Sequence, residues 1–258
     1  MKDLQKYKEL AISASLEAGK LLMEHFNSIN DFKIKKDAGI VTKADTDSET
    51  LITNILKKGT PEFGILAEED GVKGDQNIKW IIDPLDGTTN FFHGFPHFNI
   101  SIALEYKKEL IVGVVHNPVN GDIYHCAKGA GSYKNKELIK VSKTDQLKSS
   151  LLGTGFAYMR GNELNSALEL FKKFTALTHG IRRPGAAALD LCYVAEGIYD
   201  GFYESTLNPW DIAAGILLVQ EAGGTVTNYK GNKISIYENN VVASNGAIHK
   251  DIVSVINS

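Results

Sequence analysis

Trp80-Ile-Ile-Asp-Pro-Leu-Asp-Gly-Thr-Thr-Asn-Phe91 is the most informative stretch of the 258-residue chain. An apolar run suited to a buried strand meets Pro, Asp and Gly, which turn the backbone, and a short helix then opens at Gly87, Thr88 and Thr89. Asp83 and Asp86 therefore stand at a strand's C-terminal end, where their side chains converge and the Leu85 carbonyl points into the same space. Hard divalent cations take such all-oxygen ligands. The backbone N–H groups of Gly87 and Thr88 at the helix start suit a phosphate. Asp86 alone reads equally well as a helix cap, but that leaves Asp83 and the acids elsewhere unexplained.

Further acids lie on either side. Glu68-Glu69-Asp70 follows the apolar Phe63-Gly-Ile-Leu-Ala67, which brings at least one carboxylate to the end of a second buried strand; taken alone, three acids before Gly71 are a solvated loop. Asp211 follows Pro209-Trp210 and opens a helix, where the helix dipole by itself would favour it. Asp45-Thr-Asp-Ser-Glu49 alternates like a calcium loop, yet Thr50 stands where that loop needs Gly and Leu56 where it needs Glu, so a helix N-terminus is the better reading.

Along the whole chain, Leu4, Tyr7, Ala11, Ala14, Ala18 and Leu21 predict a long amphipathic helix ending near Asn27, and a short strand pair follows between Phe32 and Val41. A second helix covers Asp45 to Leu56. Strands are predicted for Phe63 to Glu68, Lys79 to Asp83, Asn99 to Tyr106, Leu110 to His116 and Asp122 to Ala127, with hairpin turns at Lys107 to Glu109 and Asn117 to Gly121. From Ser150 strand and helix alternate: Leu151 to Phe156, helices Glu163 to Leu177 and Gly185 to Glu196, strand Tyr199 to Glu204, helix Asp211 to Ala222, strands Thr225 to Asn228 and Asn240 to Ala243, and a closing helix from Ala247. The fold class is thus mixed α/β: a largely antiparallel N-terminal half, approximately residues 1–149, and an α/β half, 150–258, packed as a single unit without a linker.

The net charge of −3 gives no general attraction to nucleic acid or an anionic membrane, so neither partner is expected. The longest apolar run, Ile212 to Val219, is far short of the ~20 residues that span a bilayer. Cys126 and Cys192 stand apart and outside any CxxC pattern, and no secretion signal opens the chain, which together predict a cytoplasmic protein with buried thiols. GxGxxG, GxxxxGK[ST], HExxH and GxSxG are all absent, so dinucleotide, P-loop, zincin and serine-hydrolase chemistries have no motif support. His93 and His97, separated by Gly94 and Pro96, read as loop residues.

Ile65-Leu-Ala-Glu-Glu69, Trp80 to Phe91 and Asn208-Pro-Trp-Asp-Ile-Ala-Ala-Gly215, with Val41 to Asp45, Gly185 to Cys192 and Glu221 to Gly224, resemble the inositol monophosphatase family in order and spacing over nearly the whole chain. The resemblance implies a layered α-β-α-β-α sandwich and a magnesium-dependent, lithium-sensitive phosphomonoesterase holding two to three Mg2+ ions. It implies Glu68, Asp83, Leu85 (through its carbonyl), Asp86 and Asp211 as metal ligands, with Asp83 bridging two ions. Thr88 with Asp45 would orient and activate a water near the ion held by Glu68. Gly87 and Thr88 would hold the phosphate, and Asp86, Gly185, Ala186, Ala187, Glu204 and Asp211 would meet the rest of the substrate. A homodimer is implied as well.

The chemistry is consistent with this. Two like charges 4 Å apart repel by about 4 kcal/mol at an effective dielectric of 20, so converging carboxylates demand cations. Paired metals then polarise water and leaving group, and no nucleophilic side chain is needed. The expected substrate is a small sugar or polyol phosphate, myo-inositol 1-phosphate first. Fructose 1,6-bisphosphate, histidinol phosphate, NADP and 3'-phosphoadenosine 5'-phosphate are the alternatives, and a binding role in transcription or RNA processing is the alternative of a different class. Arg182-Arg183 before Pro184 either reaches a second phosphate or serves as a structural or interface pair.

Overall fold

The computed structural model describes the backbone of residues 4–26, 32–35, 39–156 and 159–258. The helix α1 (Leu4–Phe26) is followed by a two-stranded ribbon, β1 (Phe32–Lys35) and β2 (Gly39–Thr42), and by α2 (Lys43–Gly59). Asn27, where α1 is predicted to end, lies outside the described residues.

An eight-stranded sheet comes next: β3 (Gly64–Ala67), β4 (Gly71–Lys73), β5 (Ile78–Asp86), β6 (Asn99–Tyr106), β7 (Glu109–Asn117), β8 (Asp122–Ala127), β9 (Ser132–Lys134) and β10 (Glu137–Ile139). Its spatial order is β10-β9-β8-β7-β6-β5-β3-β4, and the short helix α3 (Thr88–Phe92) branches off after β5. Only β3 and β5 pair in parallel; every other neighbour is antiparallel.

A five-stranded mixed sheet follows, ordered β12-β11-β13-β15-β14 and built from β11 (Leu151–Thr154), β12 (Gly180–Arg182), β13 (Gly201–Ser205), β14 (Thr225–Thr227) and β15 (Asn240–Ser244). Its helices are α4 (Gly161–Leu177), α5 (Ala187–Glu196), α6 (Pro209–Glu221) and α7 (His249–Ile256).

Three apolar cores between five layers hold this together. Ala11, Ala14, Ala18 and Leu22 of α1 and Ile52 and Leu56 of α2 pack on Trp80, Ile82, Ile102 and Val114 of the first sheet. The opposite face of that sheet, through Ile81, Ala103 and Val115, meets Leu189 and Leu191 of α5 and Ile212 and Leu218 of α6, which rest in turn on Phe202, Val241 and Ala243 of the second sheet. Leu152, Tyr203 and Val242 then face Phe174 of α4 and Ile252 of α7. The order is α-β-α-β-α, as the resemblance implies.

Because both faces of the first sheet are covered, β5 and β6 are buried along nearly their whole length and read as continuous apolar runs rather than alternating ones. Each fully buried Ile or Leu there contributes about 1.5–3 kcal/mol. The run Ile212 to Val219 is buried in α6 for the same reason, lying between two sheets. No described helix is long and apolar enough to cross a membrane.

Strands β4, β9, β10 and β12 were not predicted. Each has three residues, too few for a periodic pattern; β4, β9 and β12 are strand through pairing with a longer neighbour, and β10 through pairing with β9. Two boundaries differ usefully from the sequence reading. The strand predicted to end at Asp83 runs on to Asp86 through a bulge, and the helix predicted from Asp211 begins at Pro209.

Candidate active site

Regular strand geometry would separate the two aspartates of the opening motif, since residues three apart point to opposite faces. Asp83 pairs with Ser101 and Asp86 with Asn99, so three steps on β5 match two on β6. The extra residue falls at Pro84-Leu85, where Pro has no N–H to offer the ladder, and the resulting bulge aims both carboxylates into one cleft. The parallel register of β3 and β5 sets Ala67 opposite Ile82, so Glu68 emerges beside Asp83. Asp211 enters from α6. All four acids, with Leu85, line a cleft of about 350 Å3.

Each acid is held differently. Asp83 is 2% exposed and, among the described residues, its Oδ1 accepts a local bond from the Leu85 N–H at 3.0 Å. Burial, reinforced by Glu68, Asp86 and Asp211, holds its carboxyl well above the usual range. Asp86 Oδ2 accepts from the Asn99 side chain at 2.8 Å and the Ala188 N–H at 2.9 Å; burial nevertheless pushes it to about 6. Asp211 Oδ2 accepts from the Asn208 N–H at 2.7 Å in a capping box that starts α6, and burial pushes it to about 7. Asp211 thus stands in the first turn of α6, as expected, and lines the cleft as well.

Asp45 also closes a capping box. Its Oδ2 accepts from the Thr42 N–H at 2.7 Å and the Thr42 hydroxyl at 2.6 Å, while the Thr88 hydroxyl donates to Oδ1 at 2.9 Å. Burial raises the carboxyl, against the pull of these bonds. Thr88 lines the cleft and Asp45 sits behind it. Gly87 takes φ +92°, and a Cβ there would lie 3.0 Å from the His97 carbonyl, so the turn into α3 needs glycine.

Gly185, Ala186 and Ala187, at the start of α5, line another wall, with Glu204 from the end of β13. Burial, reinforced by Asp211 and Asp86 and opposed by Arg183, raises Glu204 to about 8. Arg182 and Arg183 are both exposed; Arg183 lines the cleft, and the Arg182 side chain donates to the Ile181 carbonyl. His93 caps α3 and His97 lies in the loop behind it, as expected.

The structure adds residues that sequence reasoning missed. The buried Glu49 accepts the N–H groups of Glu69 and Asp70, both at 2.8 Å, and so ties the Glu68 turn to α2. The Asn90 side chain donates to the carbonyls of His97 at 2.8 Å and Pro184 at 2.9 Å, joining α3 to the substrate-side wall. Gly155 leaves room for Glu204, because a Cβ there would lie 2.2 Å from the carboxylate oxygens. Asp190 is buried in α5 near Glu204 and Asp86, which with burial hold its carboxyl well above the usual range. A lone acid in the apolar run Ala-Leu-Asp-Leu-Cys192 was the available signal for Asp190, and Asn-Pro-x-Asp for the Asn208 cap.

The donor set fits hard divalent cations: four carboxylates and one carbonyl, with Asp83 pushed up by burial and by three like charges that a cation would offset. Among the described residues, no three acid, histidine or cysteine side chains are already closed around one point an ion could occupy.

A family model described as the inositol monophosphatase family matches residues 3–258. The chain belongs to the inositol monophosphatase family. It is 42% identical over 253 residues to the inositol-1-monophosphatase of a Synechocystis strain, covering 97% of this chain and 88% of that protein. It is 38% identical to the fructose-1,6-bisphosphatase/inositol-1-monophosphatase of Aquifex aeolicus, covering 99% and 97%. The extragenic suppressor protein suhB of Bartonella henselae has a crystal structure that superposes with a TM-score of 0.92 at 37% identity, covering 97% of this chain and 98% of that one. This inositol monophosphatase family member is therefore a phosphatase.

Proposed function

We propose that the protein hydrolyses a small polyol or sugar phosphate monoester, with myo-inositol 1-phosphate as the preferred substrate, by direct attack of water in the cleft between β5, α3, α5 and α6. The observation that carries this reading is the convergence of Glu68, Asp83, Asp86 and Asp211 beside the Thr88–Asp45 pair. Glu68, Asp83, Asp86, Asp211 and the Leu85 carbonyl would hold two to three Mg2+ ions. When bound, the metal supplies polarisation of the attacking water and neutralises charge on the leaving oxygen.

The protein's own groups do the rest. Backbone N–H groups at Gly87 and Thr88 receive the phosphate. The Thr88 hydroxyl gives its proton to Asp45 Oδ1, a charge-assisted bond, which leaves a lone pair on the hydroxyl oxygen facing the cleft to accept from the attacking water. Asp45 is the eventual proton acceptor, reached through Thr88. The N-termini of α3, α5 and α6 all meet this cleft, so their dipoles favour a negatively charged occupant. Glu204 and the Gly185 to Ala187 wall receive substrate hydroxyls.

Arg183 favours one second reading, a bisphosphate whose distal phosphate it meets at the rim. The homodimer inferred from the resemblance is a proposal that a measured solution mass tests.

Inorganic phosphate release decides the substrate. It is measured on myo-inositol 1-phosphate, fructose 1,6-bisphosphate, histidinol phosphate and glycerol 2-phosphate, with magnesium, with chelator and with added lithium. The expected pattern is magnesium-dependent, lithium-inhibited release, fastest for the inositol ester. Release that persists under chelation sinks the mechanism.

A further inference from the structure

The buried face of α2 changes character along its length. The later turns bury Ile52 and Leu56 in the apolar core, whereas the first turns bury Asp45, Ser48 and Glu49, which are 1%, 0% and 3% exposed. Spaced by three and four positions, these three side chains share one side of the helix.

Each reaches a different segment of the cleft. Asp45 Oδ1 accepts from the Thr88 hydroxyl at 2.9 Å, at the start of α3. Ser48 Oγ donates to the Pro84 carbonyl at 2.9 Å, inside the bulge between Asp83 and Asp86. Glu49 takes one N–H on each oxygen, that of Asp70 on Oε1 and that of Glu69 on Oε2, both at 2.8 Å, at the turn that directly follows Glu68. One helix thus anchors the Thr88 turn, the β5 bulge and the Glu68 turn together.

Serving two N–H groups does not by itself account for Glu49. Glu69 is half-buried and Asp70 exposed, so the turn lies where solvent meets such needs, whereas withdrawing a carboxylate from water is unfavourable. What the two-point attachment adds is a fixed orientation, because both oxygens are engaged and the turn cannot pivot about a single bond.

We infer that Glu49 is a positioning residue for the metal site: it holds the turn that presents Glu68 and, one helical turn from Asp45, sets the Glu68 carboxylate against the Thr88–Asp45 pair. The inference rests on the proposed role of Glu68 as a metal ligand.

The test is titration calorimetry of magnesium into metal-free protein, beside phosphate release as a function of magnesium. It compares wild type, Glu49→Gln, Glu49→Asp and Ile52→Val, a core change on the same helix. Gln keeps one acceptor oxygen but turns an N–H toward the second donor, so at least one bond is lost. Glu49→Gln should weaken a magnesium-binding step about tenfold and leave kcat at saturating magnesium within about threefold of wild type. Glu49→Asp withdraws the carboxylate by one methylene; it should shift binding in the same direction by less, and it carries the test if Glu49→Gln does not fold. Ile52→Val should lower Tm and leave magnesium binding unchanged, which separates positioning from general stability. Because Glu49 acts through Glu68, adding Glu49→Gln to Glu68→Gln should bring no further loss of binding. Binding unchanged in both Glu49 variants, weakened equally by Ile52→Val, or lost additively in the double variant overturns the inference. A wild type that binds no magnesium instead removes the proposed function.

Discussion

The Thr88 hydroxyl donates to Asp45 Oδ1 at 2.9 Å across 43 residues of sequence, and its oxygen also lies 3.0 Å from the Leu85 carbonyl. One proton serves two acceptors, and the carboxylate is the stronger when ionised. Thr88→Val should lower kcat by about 10²- to 10⁴-fold with little change in KM, and Asp45→Asn should do the same. Because the two act in series, the double variant should be hardly worse than either single one. Additive losses in a double-mutant cycle would show that they act independently.

Asp83 carries burial together with the charges of Glu68, Asp86 and Asp211, and its carboxylate accepts the Leu85 N–H. Asp83→Asn keeps the shape and that acceptor while removing one of the clustered charges. Turnover should be lost nearly completely, while the metal-free variant melts at the wild-type temperature or above. Wild-type turnover would refute the ligand assignment.

Metal-free stability should fall as pH rises. Asp86 is raised from 3.8 to about 6, Asp211 from 3.8 to about 7 and Glu204 from 4.5 to about 8. Between those ordinary and raised values the native state binds more protons than the unfolded chain, so each unit of pH lowers the stability of folding, and the decline ends above the raised values. Thermal melts of chelated protein should therefore show Tm dropping from about pH 5 to about pH 8, and added magnesium should recover more of it at the upper end. A Tm flat across that interval would contradict the buried-acid account.

Gly155→Ala would drive a methyl group to 2.2 Å from the Glu204 oxygens. The carboxyl group must move, so KM for a polyol phosphate should rise about three- to tenfold, the loss of one hydrogen bond. An aryl phosphate lacking hydroxyls should keep its kinetics. Equal loss on both substrates would mean that the strand end, rather than Glu204, had been disturbed.

Local sequence made much of this legible. The helix starts show why: Asp45 and Asp211 were placed at helix N-termini, although their capping partners Thr42 and Asn208, three residues earlier, were not read as caps. Glu49 and Asn90 were not legible, because what they hold is a turn 20 residues away and a wall 94 residues away. Asp190 resembled any core helix position until the packing of α5 beneath Glu204 gave its isolation a meaning.

The acid-bearing motifs, the long strands and the main helices were determined by the sequence alone, since periodicity and turn chemistry act through near neighbours. Tertiary structure decided that the acids share a cleft. The bulge between Asp83 and Asp86 and the register that sets Ala67 opposite Ile82 arise from pairing between strands, and no residue encodes them by itself. Which face of β13 meets α4 is likewise a matter of packing between layers that pattern within one segment does not specify.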